Sequence, residues 1–536
     1  MQVFKFVYNI HYANIGMKTL FINSKIWLKK NYFAEALGMD SESGNIIFIG
    51  SDKDASDLKN DYDEVIDLRG KYVMPAFNDN HVHLVKGALV SSELNLRSVS
   101  TSNEFKEEIL KYRAGLKSGK WIQGGYFSDS NFTEKISIDK NYLDSICSDV
   151  PMFISRFDIH SCFVNSKALE AVNNFEGQDF NNDELIRNSN GELTGELKER
   201  PMYFIQSIIP QKTLEEKAID VKNQIKEFHS LGITSVSDIT LKEDLDIYEY
   251  LLNKNELDLN INSILPFEEF YNIKEHKKRF AEFLQIRFRC FKAFYDGSLS
   301  SSTAYYHKNF KNADHRGIRT EYVNTGEFHK HALDIDKAGY QMAVHAIGDA
   351  SVSELIMLNS ELDIINGLRN RKFRIEHAQH IQPADFRLFD VYKILASVQP
   401  SHLFSDAVTS SELRNDFYTT HNYPELLKYN VKLCFGTDFP IVSPSPFETI
   451  YYAATRKAKG FENGFLPEHK MNIEACIDSY TINNAYACNE DEITGSLRVD
   501  KRADLYVTDE NIFESDLDSI RSMKVQMTFL KGKQVY

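Results

Sequence analysis

Short apolar runs alternate with amphipathic stretches along most of this chain, and the alternation is regular enough to count. "GITSVSDIT" (232–240), "LNINSILPF" (259–267), "RCFKAFYDG" (289–297) and "YQMAVHAIGD" (340–349) are followed by "FRIEHAQ" (373–379), "ILASVQPS" (394–401) and "KLCFGTDFPI" (432–441). Each is short, mostly apolar and bounded by turn residues, which predicts a strand. Most are followed by a helical pattern, such as "SVSELIMLNSELDIINGL" (351–368). With the opening run "MPAFNDNHVHL" (74–84) the strands number about eight, the count that closes a (β/α)₈ TIM-type barrel. A doubly wound open sheet is the structural alternative, but no G-x-G-x-x-G follows the first strand.

Two regions break the alternation. At the ends, "MKTLFINSKIWL", "GNIIFIGSDKD", "GSLRVDKRADLYVTDE" and "VQMTFLKGKQVY" read as short strands joined by turns. Because chain termini commonly lie close together, 17–73 and 485–536 are expected to form one small β-sandwich domain, with the barrel over 74–484. Residues 1–16 look like a detached extension, and Met17 is a candidate start. The other break is an insertion at about 100–217, after strand one, containing "WIQGGYF" and "NGELTGELKERP". That is too long for a structureless loop, so it should have its own fold, with Trp121 packed inside it, and cap the barrel mouth.

Composition narrows the classes. A chain of 536 residues, 42% hydrophobic and 26% charged, suits a large globular domain plus a smaller one. A net charge of −15 with scattered lysines and arginines argues against nucleic acid, which needs concentrated positive charge. Six cysteines without a C-x-x-C argue against a disulfide scaffold or zinc ribbon and suit a reducing compartment. No apolar run approaches the roughly 20 residues of a membrane helix, and "MQVFKFVYNI" is a poor signal peptide. The expectation is a cytoplasmic protein with neither nucleic acid nor membrane as partner. The charge run "KEHKKRF" and the pair Ser128–Asp129 read as solvated surface.

The candidate chemistry begins in "NDNHVHL". Residues two apart on a strand share a side, so Asp79, His81 and His83 point one way and Val82 the other. Two imidazoles aimed at one point supply the first pair of ligands for a divalent metal. Other polar residues fall at or near strand ends: His345, His377 and Asp438, with Lys292 inside strand four in register with Asp296. In a barrel the catalytic residues gather at the C-terminal ends of the strands, so these residues should converge. From the residues alone, alternatives stand beside this. Lys292 could pair with Asp296 next to a single metal, His345 or His377 could be structural, and Asp438 could cap its turn.

The stretches "MPAFNDNHVHL", "HSCFVNSKAL", "FKAFYDGSLSSSTA", "VHAIGD", "RIEHAQ", "SVQPSHLFSD", "FGTDFPIVSPSPF" and "GSLRVDKRADLYV" together resemble the amidohydrolase superfamily. Within it the chain is similar to the YtcJ-like branch, whose characterised members include N-substituted formamide deformylase. It departs in having Ala76 where that branch usually has glycine, and "SLSSSTA" for the commoner S-L-G-S-R-T-A. The resemblance implies a binuclear centre: His81, His83 and Asp438 hold one metal, His345 and His377 the second, and Lys292, carboxylated to a carbamate, bridges them. Zinc suits such ligands, two ions being expected, with Fe, Mn and Co left open.

A metal-activated hydroxide would then attack a carbonyl while Asp438 moves the proton to the leaving amine. The expected activity is cleavage of a non-peptide C–N bond in a small amide or formamide. A deaminase or an ester or phosphoester hydrolase is the alternative, and a non-catalytic metal-binding protein a further one. His160, Gln399 and His402 are candidate substrate contacts, as is Asp406; a homodimer is left open.

Overall fold

Every residue of the strand Phe77–Val82 is buried, as a strand covered on both faces requires. It is β1 of a sheet whose other members are β2 (Ile233–Ile239), β3 (Asn260–Pro266), β4 (Ile286–Phe294), β5 (Gln341–Ala346), β6 (Arg374–His377), β7 (Leu395–Val398) and β8 (Leu433–Phe435). The computed structural model describes residues 16–30, 32–128, 131–134, 136–156, 160–181 and 183–536. The proposed extension, apart from Gly16, and Asp129 lie outside them.

The eight strands are hydrogen-bonded in sequence order, and their ladders are parallel. A parallel bridge between Val82 and Phe439 brings the last strand back to the first, giving a nearly closed barrel. Asp79 reinforces that seam. Its carboxylate accepts the Thr437 backbone N–H at 3.0 Å and hydroxyl at 2.6 Å, and the His81 N–H at 3.1 Å. Gly436 permits the approach, because a Cβ there would stand 2.7 Å from the His81 nitrogen.

All eight predicted strands are present. Several runs overshoot their strands at the C-terminal end, where polar residues leave the ladder for the following turn; strand four also begins three residues before the predicted run, at Ile286. The predicted helix after strand five is observed as Asp349–Asn366.

Strands from both chain ends share one six-stranded sheet. Leu505–Thr508 pairs antiparallel with Tyr72–Pro75, matching Val507 with Val73. A four-stranded sheet is made of Lys18–Ile22, Ala36–Asp40, Asn45–Gly50 and Glu64–Asp67. One apolar cluster draws on both: Phe21, Leu37 and Ile46 with Val73, Leu505 and Phe529.

Val85–Gln224 forms a separate compact unit, wider than the predicted insertion, with its own six-stranded sheet. Alternate residues of Met152–Arg156 serve its two cores: Met152 and Ile154 pack with Phe105 and Phe127, whereas Phe153 packs with Trp121 and Leu197. Among the described residues no helix is long and apolar enough to cross a membrane, and all six cysteines are free and buried.

Candidate metal centre

His81, on β1, is buried, and its Nδ1 contacts the Glu376 carboxylate of β6. A carboxylate in this position can only accept, so the imidazole proton sits on Nδ1 and the lone pair on Nε2. Glu376 is itself held: its Oε1 accepts from Arg374 Nε at 2.7 Å and its Oε2 from the Ser397 hydroxyl at 2.6 Å. Burial pushes this carboxyl up, but the Arg374 guanidinium and His81 hold it well below the ordinary range. Arg374 also donates to the Asn80 carbonyl at 2.7 Å, so β1 and β6 are locked together around His81.

The Nε2 lone pair of His81 faces the Asp438 carboxylate, 3.5 Å from Oδ1. Burial, then the nearby Lys292, lowers the His81 pKa and keeps the ring from becoming a cation. A lone pair pointed at an anion is repulsive unless a cation lies between them. The donor set therefore fits a metal ion.

His83 follows β1, and its Nε2 lies 3.3 Å from the same Asp438 oxygen. Asp438 follows β8 and has a backbone φ of +59°, a left-handed conformation that aspartate tolerates and that concentrates at functional sites. Burial raises the Asp438 carboxyl, yet His81, His83, His377 and His402 around it bring it well below its usual value. His377, the last residue of β6, donates from Nδ1 to Gln399 Oε1 at 2.8 Å, leaving its Nε2 free to ligate. His402 Nε2 is buried without a hydrogen-bond partner, 4.0 Å from Asp438 Oδ2. Two donor triads result, His81–His83–Asp438 and His377–His402–Asp438, with Asp438 common to both.

His345, on β5, packs its ring 4.5 Å from that of His377. Its Nε2 donates to the Gly297 carbonyl at 3.1 Å, so Nδ1 bears the lone pair. Burial and then Lys292 depress its pKa to about 3 and keep it neutral. The structure thus brings His345 beside the site, while the histidine that joins His377 and Asp438 in a triad is His402.

Lys292 is buried, and its Nζ has no hydrogen-bond partner. Burial pulls it down to about 8, against the opposing pull of Glu376 and Asp438. The alternative in which Lys292 pairs with Asp296 is not what the structure contains. Asp296 instead accepts from the backbone N–H groups of Tyr305, Ile347 and Gly348 and from the Ser351 hydroxyl. It ties together the loops after β4 and β5 and leaves the lysine nitrogen alone.

The candidate substrate contacts separate. Gln399 is occupied in fixing His377, while His402 presents a free nitrogen to Asp438. Asp406 pairs with His421 at 3.3 Å. His160 belongs to the Val85–Gln224 unit, where it pairs with Glu199 at 2.9 Å and is exposed. Sequence reasoning missed Arg374 and Glu376. Their signal was two opposite charges at alternate positions of one short strand, a spacing that puts both on one side.

Residues 64–536 match the model of the amidohydrolase family. The chain is 27% identical over 98% of its length to protein LONG AFTER FAR-RED 3 of Arabidopsis thaliana, covering 92% of that protein. It is 21% identical over 91% of its length to N-substituted formamide deformylase of Arthrobacter pascens, covering 93% of it. An uncharacterized metal-dependent hydrolase from Pyrococcus furiosus shares the fold at a TM-score of 0.73 and 24% identity, over 93% of this chain and 100% of that one.

Proposed function

Because the chain belongs to the amidohydrolase family, we propose that it hydrolyses a carbon–nitrogen bond other than a peptide bond, in a small amide or formamide, at a divalent metal centre. One observation carries the reading: a buried carboxylate, Asp438, faces imidazole lone pairs from separate strand ends, beside a buried lysine nitrogen with no partner. His81, His83 and Asp438 would hold one ion, and His345 and His377 a second, with His402 in reach of His377; Lys292, as a carbamate, would supply oxygens to both. We take the ions to be zinc, the metal most often matched to imidazole and carboxylate donors. When bound, such an ion polarises a carbonyl and lowers the pKa of water.

The protein groups have definite tasks in this reaction. Glu376 holds the proton on His81 Nδ1, so that Nε2 stays available. Asp438 takes a proton from the attacking water and returns it to the departing nitrogen, so the amine leaves neutral as the C–O bond forms and the C–N bond breaks. The similarity to N-substituted formamide deformylase supports a formamide. We also assign 17–73 and 485–536 to one composite β-sandwich domain, supported by the cluster joining Phe21 to Leu505 and Phe529. The free buried thiols support a cytoplasmic location.

The test is elemental analysis of purified protein together with a panel of N-formyl and N-acyl amines, esters and imines. About two equivalents of divalent metal and chelator-sensitive cleavage of formyl or acyl amines are expected. Full activity after metal has been stripped refutes the metal reading, and turnover of imines or esters alone refutes the bond assignment.

A further inference from the structure

The charge run "KEHKKRF", expected as plain solvated surface, forms the helix Ile273–Arg279, and one of its lysines lines a cavity. The cavity measures about 330 Å³ and lies where the chain enters β5 and β6. Lys277, Arg289, Arg369, Arg371 and Lys372 line it, and no aspartate or glutamate does. In a chain of net charge −15, five cations around one concavity call for an account of what neutralises them.

Part of the charge is met from behind. Arg369 and Arg371 share Asp336, Arg371 also meets Asp363, and Lys372 has Asp491 at 4.0 Å. That leaves three carboxylates against five cations. Arg289 directs Nη1 to the Cys488 carbonyl at 3.0 Å, and Lys277 Nζ donates to the Tyr340 hydroxyl at 2.8 Å. Neither forms an ion pair among the described residues, and both are exposed. Gly339, Asn370 and Asn489, all uncharged, also line the wall.

We infer that this cavity binds a phosphate group, a dianion whose charge matches the unbalanced pair and whose oxygens suit the forked guanidinium of Arg289. The site is separate from the metal centre. Gln341 lines the cavity while His345 serves the centre, and the four strand steps from one to the other span about 13 Å. The ligand approaches the N-terminal end of the barrel, opposite the face where the chemistry gathers. Free phosphate and the phosphate of a nucleotide share this chemistry, and the experiment tells them apart.

Equilibrium dialysis of the metal-loaded protein against radiolabelled inorganic phosphate should give about one equivalent per chain from this cavity. An Arg289→Gln/Lys277→Gln double variant should bind at least about tenfold more weakly, with hydrolysis and metal content unchanged. Arg289→Lys should keep part of the affinity. AMP displacing the label at lower concentration than phosphate itself identifies a nucleotide site; equal or weaker displacement identifies free phosphate. The inference is overturned if no binding occurs at millimolar phosphate. It is equally overturned if binding survives the double variant and vanishes in His81→Ala, which would locate the phosphate at the metal centre.

Discussion

At the scale of single residues, the site depends on which nitrogen of each imidazole bears the proton. Glu376 decides it for His81, Gln399 for His377 and the Gly297 carbonyl for His345. Glu376→Gln should therefore weaken metal binding about 10–100-fold without unfolding the barrel, as loss of such partners does elsewhere. Metal titration monitored by competition with a chelator measures it; unchanged affinity would mean the tautomer is set by something else. Lys292 poses a sharper question. A free lysine among metal cations would lose solvation and meet like charge, whereas a carbamate turns both effects into attraction. Lys292→Ala is expected to lose metal and activity together, with partial recovery on adding short carboxylic acids and bicarbonate, and Lys292→Glu should retain more metal than Lys292→Ala. Wild-type metal content and rate in Lys292→Ala would show that no carbamate on Lys292 holds the metal.

At the scale of elements, the barrel closes at its thinnest join. β8 is three residues long, and one bridge, Val82 to Phe439, links the segment that follows it to β1. Asp79 adds two hydrogen bonds across it and a third to the His81 N–H of its own strand, and burial raises its pKa to about 7. Asp79→Ala would leave the Thr437 N–H and hydroxyl and the His81 N–H without their acceptor. Buried polar groups left unpaired cost about 1–3 kcal/mol each, so a loss of about 3 kcal/mol or more is expected. Hydrogen exchange of the β1 and β8 amides should accelerate before that of β4 and β5. Uniform exchange would show that the seam does not depend on Asp79. The alternation of "NDNHVHL" placed Asp79 on the same side as the histidines, but its task is to hold the strand that presents them.

At the scale of the whole molecule, both chain ends contribute to one core. Removing 497–536 deletes Leu497, Ala503, Leu505, Val507 and Phe529 from the cluster that also holds Phe21, Ile26 and Val73. It also strips the antiparallel partner from Tyr72–Pro75 and exposes that edge for pairing with another chain. The truncated protein is expected to form aggregates in size-exclusion chromatography and to melt earlier. A monodisperse product of unchanged heat stability would show that the two ends fold independently.

Much of this was legible from residue order. Strand periodicity is a local property, so the eight barrel strands and the helix after β5 could be read from runs of a few residues. The convergence of His81, His83, His377 and Asp438, with His345 beside them, was legible too, because strand ends in a barrel point their side chains at one another. What residue order left open was pairing. Nothing local distinguishes Gln399 as a partner for His377 from a contact for substrate, or brings His402 rather than His345 into one triad with Asp438. Asp296 likewise spends its oxygens on the loops after β4 and β5, not on Lys292, four positions away. Hydrogen bonds form between atoms a few ångströms apart, and residues distant in the chain come that close only once the barrel has closed.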